Sequence, residues 1–404
     1  MSKAEPVVFN PLDPNFRIDP YSVYRRLRQE GPIHEGPLGI RVLTRYDDCE
    51  AVLKDRRWSS DFRNAVQESF EPDWDILGDT RPFLFLDPPD HTRLRGLVSK
   101  AFTPRVVEGL RPRIQELVDE LLDRVAERGS MDVIEDLAYP LPVIVISEML
   151  GVPGEGHETF RGWSRELARS LDPEIVVTPE VLERRMNAIA SFDDYFRGLI
   201  AERRKAPRDD LLSNLMAAEE EGDKLSEAEL LATCRLILVA GHETTVNLIG
   251  NGTLALLRNP DQLEKLRDDP SLARSAVEEL LRYDPPVQFT GRIALEEMEV
   301  AGATFRKGDN VVLLLGAANR DPDQFPDPER LDITRDDDRH LAFGYGIHFC
   351  LGAPLARVEG QIALSTLVRR FEGLELRTEL PEYKENIVLR GLRSLPVGFT
   401  AIAS

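Results

Sequence analysis

HLAFGYGIHFCLGAPLARVE, residues 340–359, sets one of only three cysteines, Cys350, among Gly344, Gly346 and Gly352. The stretch then turns helical in pattern. Pro354 falls where the first turn of a helix tolerates proline, so Cys350 reads as lying at a helix N-terminus, where free amides and the helix dipole favour a thiolate. The glycines remove side chains where something flat or bulky must approach the backbone. A lone cysteine is most often a small buried hydrophobe, but in this setting it can be a nucleophile, a zinc ligand or a haem ligand. Structural zinc needs further Cys or His at finger-like spacing, and a c-type haem needs Cys-x-x-Cys-His; neither pattern is present. A nucleophile needs a base, and His348 keeps that reading open.

Composition narrows the class. The chain has 404 residues, 42% hydrophobic and 30% charged, enough for a large core and far from the composition of disordered or fibrous sequences. A net charge of −20 argues against nucleic acid or an anionic membrane as a general partner. One region runs against that balance: Arg93, Arg95, Lys100, Arg105, Arg111 and Arg113 are six bases against one acid, Glu108. They form either a solvated helix face or a docking patch for an acidic partner. Cys49, Cys234 and Cys350 have no paired spacing, which fits a reducing cytoplasm. Neither a signal peptide nor a span of ~20 apolar residues is visible.

Organisation along the chain is mainly helical with small β-sheets. Residues 33–46 read as a hairpin, and 61–89, broken by Pro72, Gly78, Pro82, Pro88 and Pro89, as a long loop. Helical periodicity dominates from 91 to about 216, and 203–226 is the one stretch with the composition of a charged linker. Ser226 and Glu229 then form a capping box that opens an apolar helix running to 257, ended by Asn259-Pro260. At about 1.5 Å per residue this helix crosses the whole molecule. Its middle, LILVAGHETTVNLIG (236–250), is interrupted by Gly241, His242, Glu243, Thr244 and Thr245. A helix over 271–283 closes at Asp284-Pro285-Pro286, strands follow with turns at Gly302 and Gly308, and Arg390-Gly391-Leu392 marks a last turn.

Phe343, Gly346, His348, Cys350 and Gly352, continued by Ala356-Arg357, resemble the cysteine signature F-x-x-G-x-(R/H)-x-C-x-G of the cytochrome P-450 family. The resemblance implies the P-450 fold and a haem b whose proximal ligand is the Cys350 thiolate, with Phe343 and Gly344 in its loop. Thiolate ligation favours O–O cleavage. The resemblance extends to Glu279-Leu280-Leu281-Arg282, which is similar to the family's E-x-x-R helix and with Arg330 implies a buried network positioning the cysteine loop. Alone, such an i,i+3 pair would be a surface ion pair of a few tenths of a kcal/mol. The segment Ala240–Thr245 resembles the distal oxygen site. There Thr244 would hydrogen-bond dioxygen, and Glu243 would relay protons. Taken without context it reads as a helix whose threonines bond back to carbonyls. His91, Arg95, Arg292 and His348 resemble the partners of the haem propionates.

These motifs span residues 91–357, so the resemblance implies one catalytic domain over 1–404. Too little chain follows Cys350 for a fused reductase. Electrons would come from a separate ferredoxin and its reductase, docking near the basic cluster of a monomeric, cytoplasmic enzyme. The implied reaction is O2-dependent hydroxylation or epoxidation of a hydrophobic small molecule: a polyketide or macrolide, terpenoid, steroid or fatty acid. Implied pocket walls are Phe83, Leu84, Leu236, Val239, Ala240, Val287, Phe289 and Leu392. A peroxide-using or isomerising haem enzyme and a non-catalytic haem sensor are the alternatives.

Overall fold

A computed structural model describes residues 7–36, 39–66, 80–154, 157–168, 178–218 and 223–401. Its axis is the helix Glu227–Arg258, 32 residues and about 48 Å long. The capping box forms as expected: Ser226 Oγ accepts from the Glu229 amide at 3.3 Å, and Glu229 Oε2 accepts from the Ser226 amide at 2.8 Å. Because this helix is apolar around its whole circumference, it must be packed on every side. The helices Pro140–Met149, His157–Ala168, Pro179–Lys205, Ala273–Tyr283 and Ala353–Arg370 supply that cover. At Gly250 a Cβ would lie 2.6 Å from Ile134 Cδ1, so the missing side chain sets how closely the π-helical turn Ile134–Ala138 approaches.

The strands sit outside this bundle. A five-stranded sheet runs in the order Ile33–Glu35, Arg41–Leu43, Asn310–Leu313, Thr290–Ala294, Trp58–Ser59. The first two strands make the expected hairpin, with Ile33 opposite Leu43. A second sheet joins Ser130–Asp132, Pro396–Ala401 and Phe371–Leu376, tying the C-terminal strands to the middle of the chain. The two-stranded ribbon Met298–Val300/Ala303–Phe305 turns through Ala301 and Gly302, both at positive φ (53° and 77°), which a tight hairpin requires.

Two expectations change. The helical stretch after residue 91 is interrupted by the strand Ser130–Asp132, too short to leave a period-two signal. The linker-like composition of 203–226 conceals core: Arg203 and Asp210 are buried and paired at 2.6 Å, and Arg203 also donates to the Gly151 carbonyl at 2.8 Å. In the expected loop 61–89, residues 67–79 lie outside the described residues. Its described part contains the single 3-10 turns Phe62–Asn64 and Phe83–Phe85. Among the described residues no helix is long and apolar enough to cross a membrane.

Candidate active site

Cys350 closes a tight loop by donating its backbone amide to the Phe343 carbonyl at 2.9 Å. Gly344 and Gly346 take positive φ (68° and 69°), and a Cβ on Gly346 would lie 2.5 Å from the Leu53 carbonyl oxygen. The glycine at 346 therefore answers to backbone conformation and to a neighbouring strand of backbone, a more local reason than the approach of a flat ligand. Gly352 caps the helix Ala353–Arg370, with Pro354 in its first turn. Cys49 and Cys234 are sealed in the core, whereas Cys350 keeps accessible surface. Burial pushes the Cys350 thiol up, while the Gly352 amide, Arg95 and the Ala353 amide pull it down. The helix terminus alone does not win, and a metal ion is what would hold this sulfur as thiolate.

Two histidines and two arginines converge beside the loop. The rings of His91 and His348 lie 4.2 Å apart, and Arg95 donates to the Phe349 carbonyl at 2.6 Å. Burial, then Arg292, His91 and Arg95, push the His348 imidazole far below its usual range. Burial and Arg95 lower His91 to about 4. Both ring nitrogens of His91 are buried without a hydrogen-bond partner. Two histidines and two arginines crowded together with orphaned donors fit a group bearing two carboxylates, as haem b does.

The loop is held from behind by a sealed ion pair. Arg282 binds Glu279 through Nε at 2.7 Å and Nη2 at 2.8 Å, with side-chain exposures of 0% and 1%. Arg282 also donates to the carbonyls of Asn319, Pro328 and Arg330 at 3.0, 2.9 and 3.3 Å. Arg330 thus contributes a backbone carbonyl; its side chain is 63% exposed and lies 3.7 Å from Asp332. The arginine completing the network is Arg335, 13% exposed and 3.1 Å from Glu279. Asn319 Oδ1 then accepts from the Leu341 amide at 2.7 Å, at the entrance to the cysteine loop. Sequence reasoning also missed Glu278, which binds Arg357 at 2.7 and 2.8 Å and His340 at 3.1 Å. Arg357 in turn stacks 4.6 Å over Phe343.

Across residues 230–256 the central helix is buried except at Ile237, Ala240, Gly241 and Thr244, which share one face. Thr244 donates to the Ala240 carbonyl at 2.7 Å and Thr245 to that of Gly241 at 3.3 Å, the local bonding expected of threonine in a helix. Glu243 is buried, with Oε1 2.5 Å from Lys384 Nζ and Oε2 3.9 Å from His242 Nε2. His242 Nδ1 lies 2.6 Å from Ser164 Oγ. Nothing local in the sequence pairs Lys384 with Glu243. Glu359, on the cysteine helix, is buried with neither carboxylate oxygen hydrogen-bonded. Burial raises it to about 8.

Of the expected pocket walls, Phe83, Leu236, Val239 and Leu392 are buried in the core cluster around the central helix, with Leu84 packed against it. Ile237, not foreseen, shares the accessible face with Ala240. Phe289 does not belong to this cluster: its ring packs edge-on against Phe9 at 5.7 Å, in a separate N-terminal cluster with Phe16 and Tyr24. Val287 bridges to Leu389 and packs on a third cluster, beneath the five-stranded sheet. The basic cluster is likewise divided. Arg93 pairs with Asp223 and Glu229, Arg95 turns to the cysteine loop, and Arg113 binds Glu148 at 2.9 Å.

A helical fold that presents one cysteine on a glycine-bound loop, beside converging histidines and arginines, with a polar break in the central helix on which the cysteine helix packs, fits a haem-thiolate protein. The Cytochrome P450 family profile matches residues 4–396, and the chain belongs to that family. It is 43% identical to the polyketide biosynthesis cytochrome P450 PksS of Bacillus subtilis, over 98% of this chain and all of that one. The solved PksS structure superposes with a TM-score of 0.89, covering 97% of this chain and 100% of PksS. The vitamin D(3) 25-hydroxylase of Pseudonocardia autotrophica is 43% identical over 94% of this chain and 93% of its own. P450BioI, solved with an acyl carrier protein carrying hexadec-9Z-enoic acid, is 42% identical with a TM-score of 0.88, covering 95% and 99% of the two chains. The protein is a cytochrome P450 monooxygenase with haem b as cofactor.

Removing one member of a buried ion pair costs about 3–5 kcal/mol, whereas an exposed side chain away from special features changes stability by about 0.5 kcal/mol or less. Arg282→Ala should therefore lower the melting temperature and haem retention sharply, while Arg330→Ala leaves both near wild type. Glu359 gives a pH signature. Its folded pKa lies above its unfolded value, so the unfolded state loses its proton first as pH rises. Its contribution is present below about pH 4.5 and is lost progressively toward pH 8. Denaturant titrations should find Glu359→Gln gaining on wild type between pH 5 and 8, with the gap widest at the upper end.

Proposed function

We propose that this monooxygenase inserts one oxygen atom of O2 into a hydrophobic small molecule, with two electrons delivered by a separate ferredoxin and its reductase. The observation carrying this reading is the accessible face Ile237–Ala240–Gly241–Thr244 on an otherwise sealed helix, with the Glu243 carboxylate beside it. An apolar wall with a hydroxyl and a carboxylate at one point suits a reaction that needs protons next to an apolar substrate. The balance is substrate C–H plus O2, two electrons and two protons, giving the alcohol and water.

Haem b supplies the reductive activation of O2 when bound. This chain's residues do the rest. The Cys350 sulfur donates electron density, under amides at Gly352 and Ala353 that limit its basicity. Arg95 and Arg292 would neutralise the cofactor's carboxylates, and the neutral imidazoles of His91 and His348 would hydrogen-bond to them. Thr244 offers a hydroxyl that now rests on the Ala240 carbonyl and can turn to the oxygen site, and Glu243 hands protons to it. Phe83, Leu84, Leu236, Ile237 and Leu392 exclude water and orient an apolar substrate. The relatives' named roles, in polyketide biosynthesis, vitamin D(3) hydroxylation and an acyl-carrier complex, support an extended apolar ring or chain. The protein acts, in this reading, as one catalytic unit in the cytoplasm, where three unpaired thiols are at home.

For electron entry, the helices Pro104–Gly109 and Arg111–Ala126 pack against the cysteine helix, which carries Arg105 and Arg111 to its neighbourhood. Arg111 pairs with Glu108 at 2.6 Å and reaches Gln361 at 3.2 Å on the cysteine helix, whereas Arg113 is turned away to Glu148 and Glu116. Reversing Arg105 and Arg111 to Glu should slow ferredoxin-driven reduction roughly tenfold at low salt, with the difference closing as salt screens the pair. Equal rates across a salt series would reject this face.

The reaction reading is tested by the carbon-monoxide difference spectrum and by coupling. The dithionite-reduced protein should give a strongly red-shifted Soret band that Cys350→Ser lacks. Thr244→Ala should keep the band and peroxide-driven turnover but consume reductant with little product. Full coupling in Thr244→Ala would exclude the proposed proton route.

A further inference from the structure

The partner of Glu243 comes from a distant part of the chain. Lys384 reaches in from the segment between the strands Phe371–Leu376 and Pro396–Ala401, with Nζ 2.5 Å from Glu243 Oε1 and 3.0 Å from Asn247 Oδ1. Its side chain is 18% exposed against 6% for Glu243, so it spans from surface to core. Arginine, the cation usually chosen for buried pairs, is absent at this point.

The segment is stitched to the central helix. Asn251 Nδ2 donates to the Arg390 carbonyl at 3.0 Å, and the Lys384 amide donates to the Gly391 carbonyl at 2.9 Å. A Cβ on Gly391 would run into the Asn247 side-chain amide, so only glycine allows this approach. The outer side of the same segment lines a cleft with Phe16, Arg17, Asn386, Arg390, Gly391 and Lys384. On the inner side, Asn247 turns its oxygen to Lys384 and leaves Nδ2 buried without a partner. A cleft, an ammonium, a carboxylate and an unsatisfied amide thus follow one another into an apolar helix. Such a run of polar groups in a core calls for a reason other than stability.

We propose that Lys384 is a positioning residue for proton delivery: its ammonium anchors one oxygen of Glu243 at the cleft and makes the 384–391 segment the proton entrance. The inference rests on the reading of Glu243 as the relay. The Glu243 carboxylate first takes up a solvent proton relayed by cleft water and then releases it toward Thr244, returning to the ion pair with Lys384. One proton enters for each that leaves, and the charge of Lys384 is unchanged over the cycle.

The test measures product formed per reductant consumed, and the solvent isotope effect on product formation, in holoenzyme variants matched by their carbon-monoxide band. A ferredoxin, its reductase and a substrate found by spin-state shift drive the reaction. Lys384→Met should lower coupling roughly tenfold, less than the roughly hundredfold or more that a positioned proton-transfer group itself contributes because Glu243 remains in place, and raise the isotope effect. Lys384→Arg, which keeps charge and reach, should restore most of the coupling. The double variant Glu243→Gln/Lys384→Met should be no worse than Glu243→Gln, because the two act as one unit. If Lys384→Met retains little haem, Gly391→Ala, which displaces the segment, should show the same coupling loss. Wild-type coupling in Lys384→Met beside impaired Glu243→Gln would overturn the role of Lys384 alone. Losses that add in the double variant would do the same. Wild-type coupling in Glu243→Gln would instead overturn the relay on which the inference stands.

Discussion

A carboxylate and a guanidinium sealed from water, Glu279 and Arg282, survive in the core only because every strong donor and acceptor finds a partner. Glu279 accepts from Arg282, Arg335 and the Asp332 amide, and Arg282 spends its remaining donors on carbonyls of residues 319, 328 and 330. The pair therefore fixes a long irregular stretch that has no ladder of its own to satisfy its backbone. That stretch ends at Leu341, pinned by Asn319, and Cys350 follows within the next turns. Since Ala273–Tyr283 and Ala353–Arg370 both pack on Glu227–Arg258, the ion pair sets the position of the sulfur relative to the central helix. A stable fold could place hydrophobic residues here at less cost. The charges specify one arrangement of an otherwise adaptable loop.

The second constraint is electrostatic. In a chain of net charge −20, His91, Arg95, Arg292 and His348 converge with their imidazoles held neutral by burial and by one another. Two neighbouring arginines and the orphaned ring nitrogens of His91 are unfavourable until a dianionic group arrives, so the proposed cofactor site would couple stability to cofactor binding at this corner. The same logic holds for the sulfur: burial opposes the thiolate that the amides of Gly352 and Ala353 are placed to receive. Both features describe a site organised for its cofactor in advance, at some expense to the empty chain.

Local chemistry was readable from the sequence, and long-range pairing was not. The glycines, Pro354 and Cys350 declare themselves within ten residues, and the capping box at Ser226 within four, because each depends on near neighbours. Arg330 looked like the network's third member because it follows a proline-rich run. Only the folded path shows that its carbonyl, not its side chain, faces Arg282, and that Arg335 takes the ionic role. Phe289 is one residue from strand Thr290–Ala294, and its side chain faces Phe9, a contact across most of the chain that no local pattern encodes. Lys384 and Asn319 were invisible for the same reason, being ordinary polar residues given meaning by partners far away in sequence.

This division bears on what the molecule holds constant and what it can vary. The cysteine loop is held by the buried hydrogen bonds of Glu279 and Arg282, and breaking that pair leaves a charged group unpaired. The apolar walls proposed at Phe83, Leu84, Leu236, Ile237 and Leu392 come from three separate segments that pack in or against the core, where volume-conserving exchange is tolerated. Reaction class is thus tied to the expensive part of the fold and substrate choice to the cheap part. Leu392 stands where the two meet, eight residues after Lys384 on the segment stitched to Asn247 and Asn251. In the reading proposed above, a substitution at Leu392 acts on the backbone that carries Lys384 to Glu243, which would couple substrate fit to oxygen chemistry through that one segment.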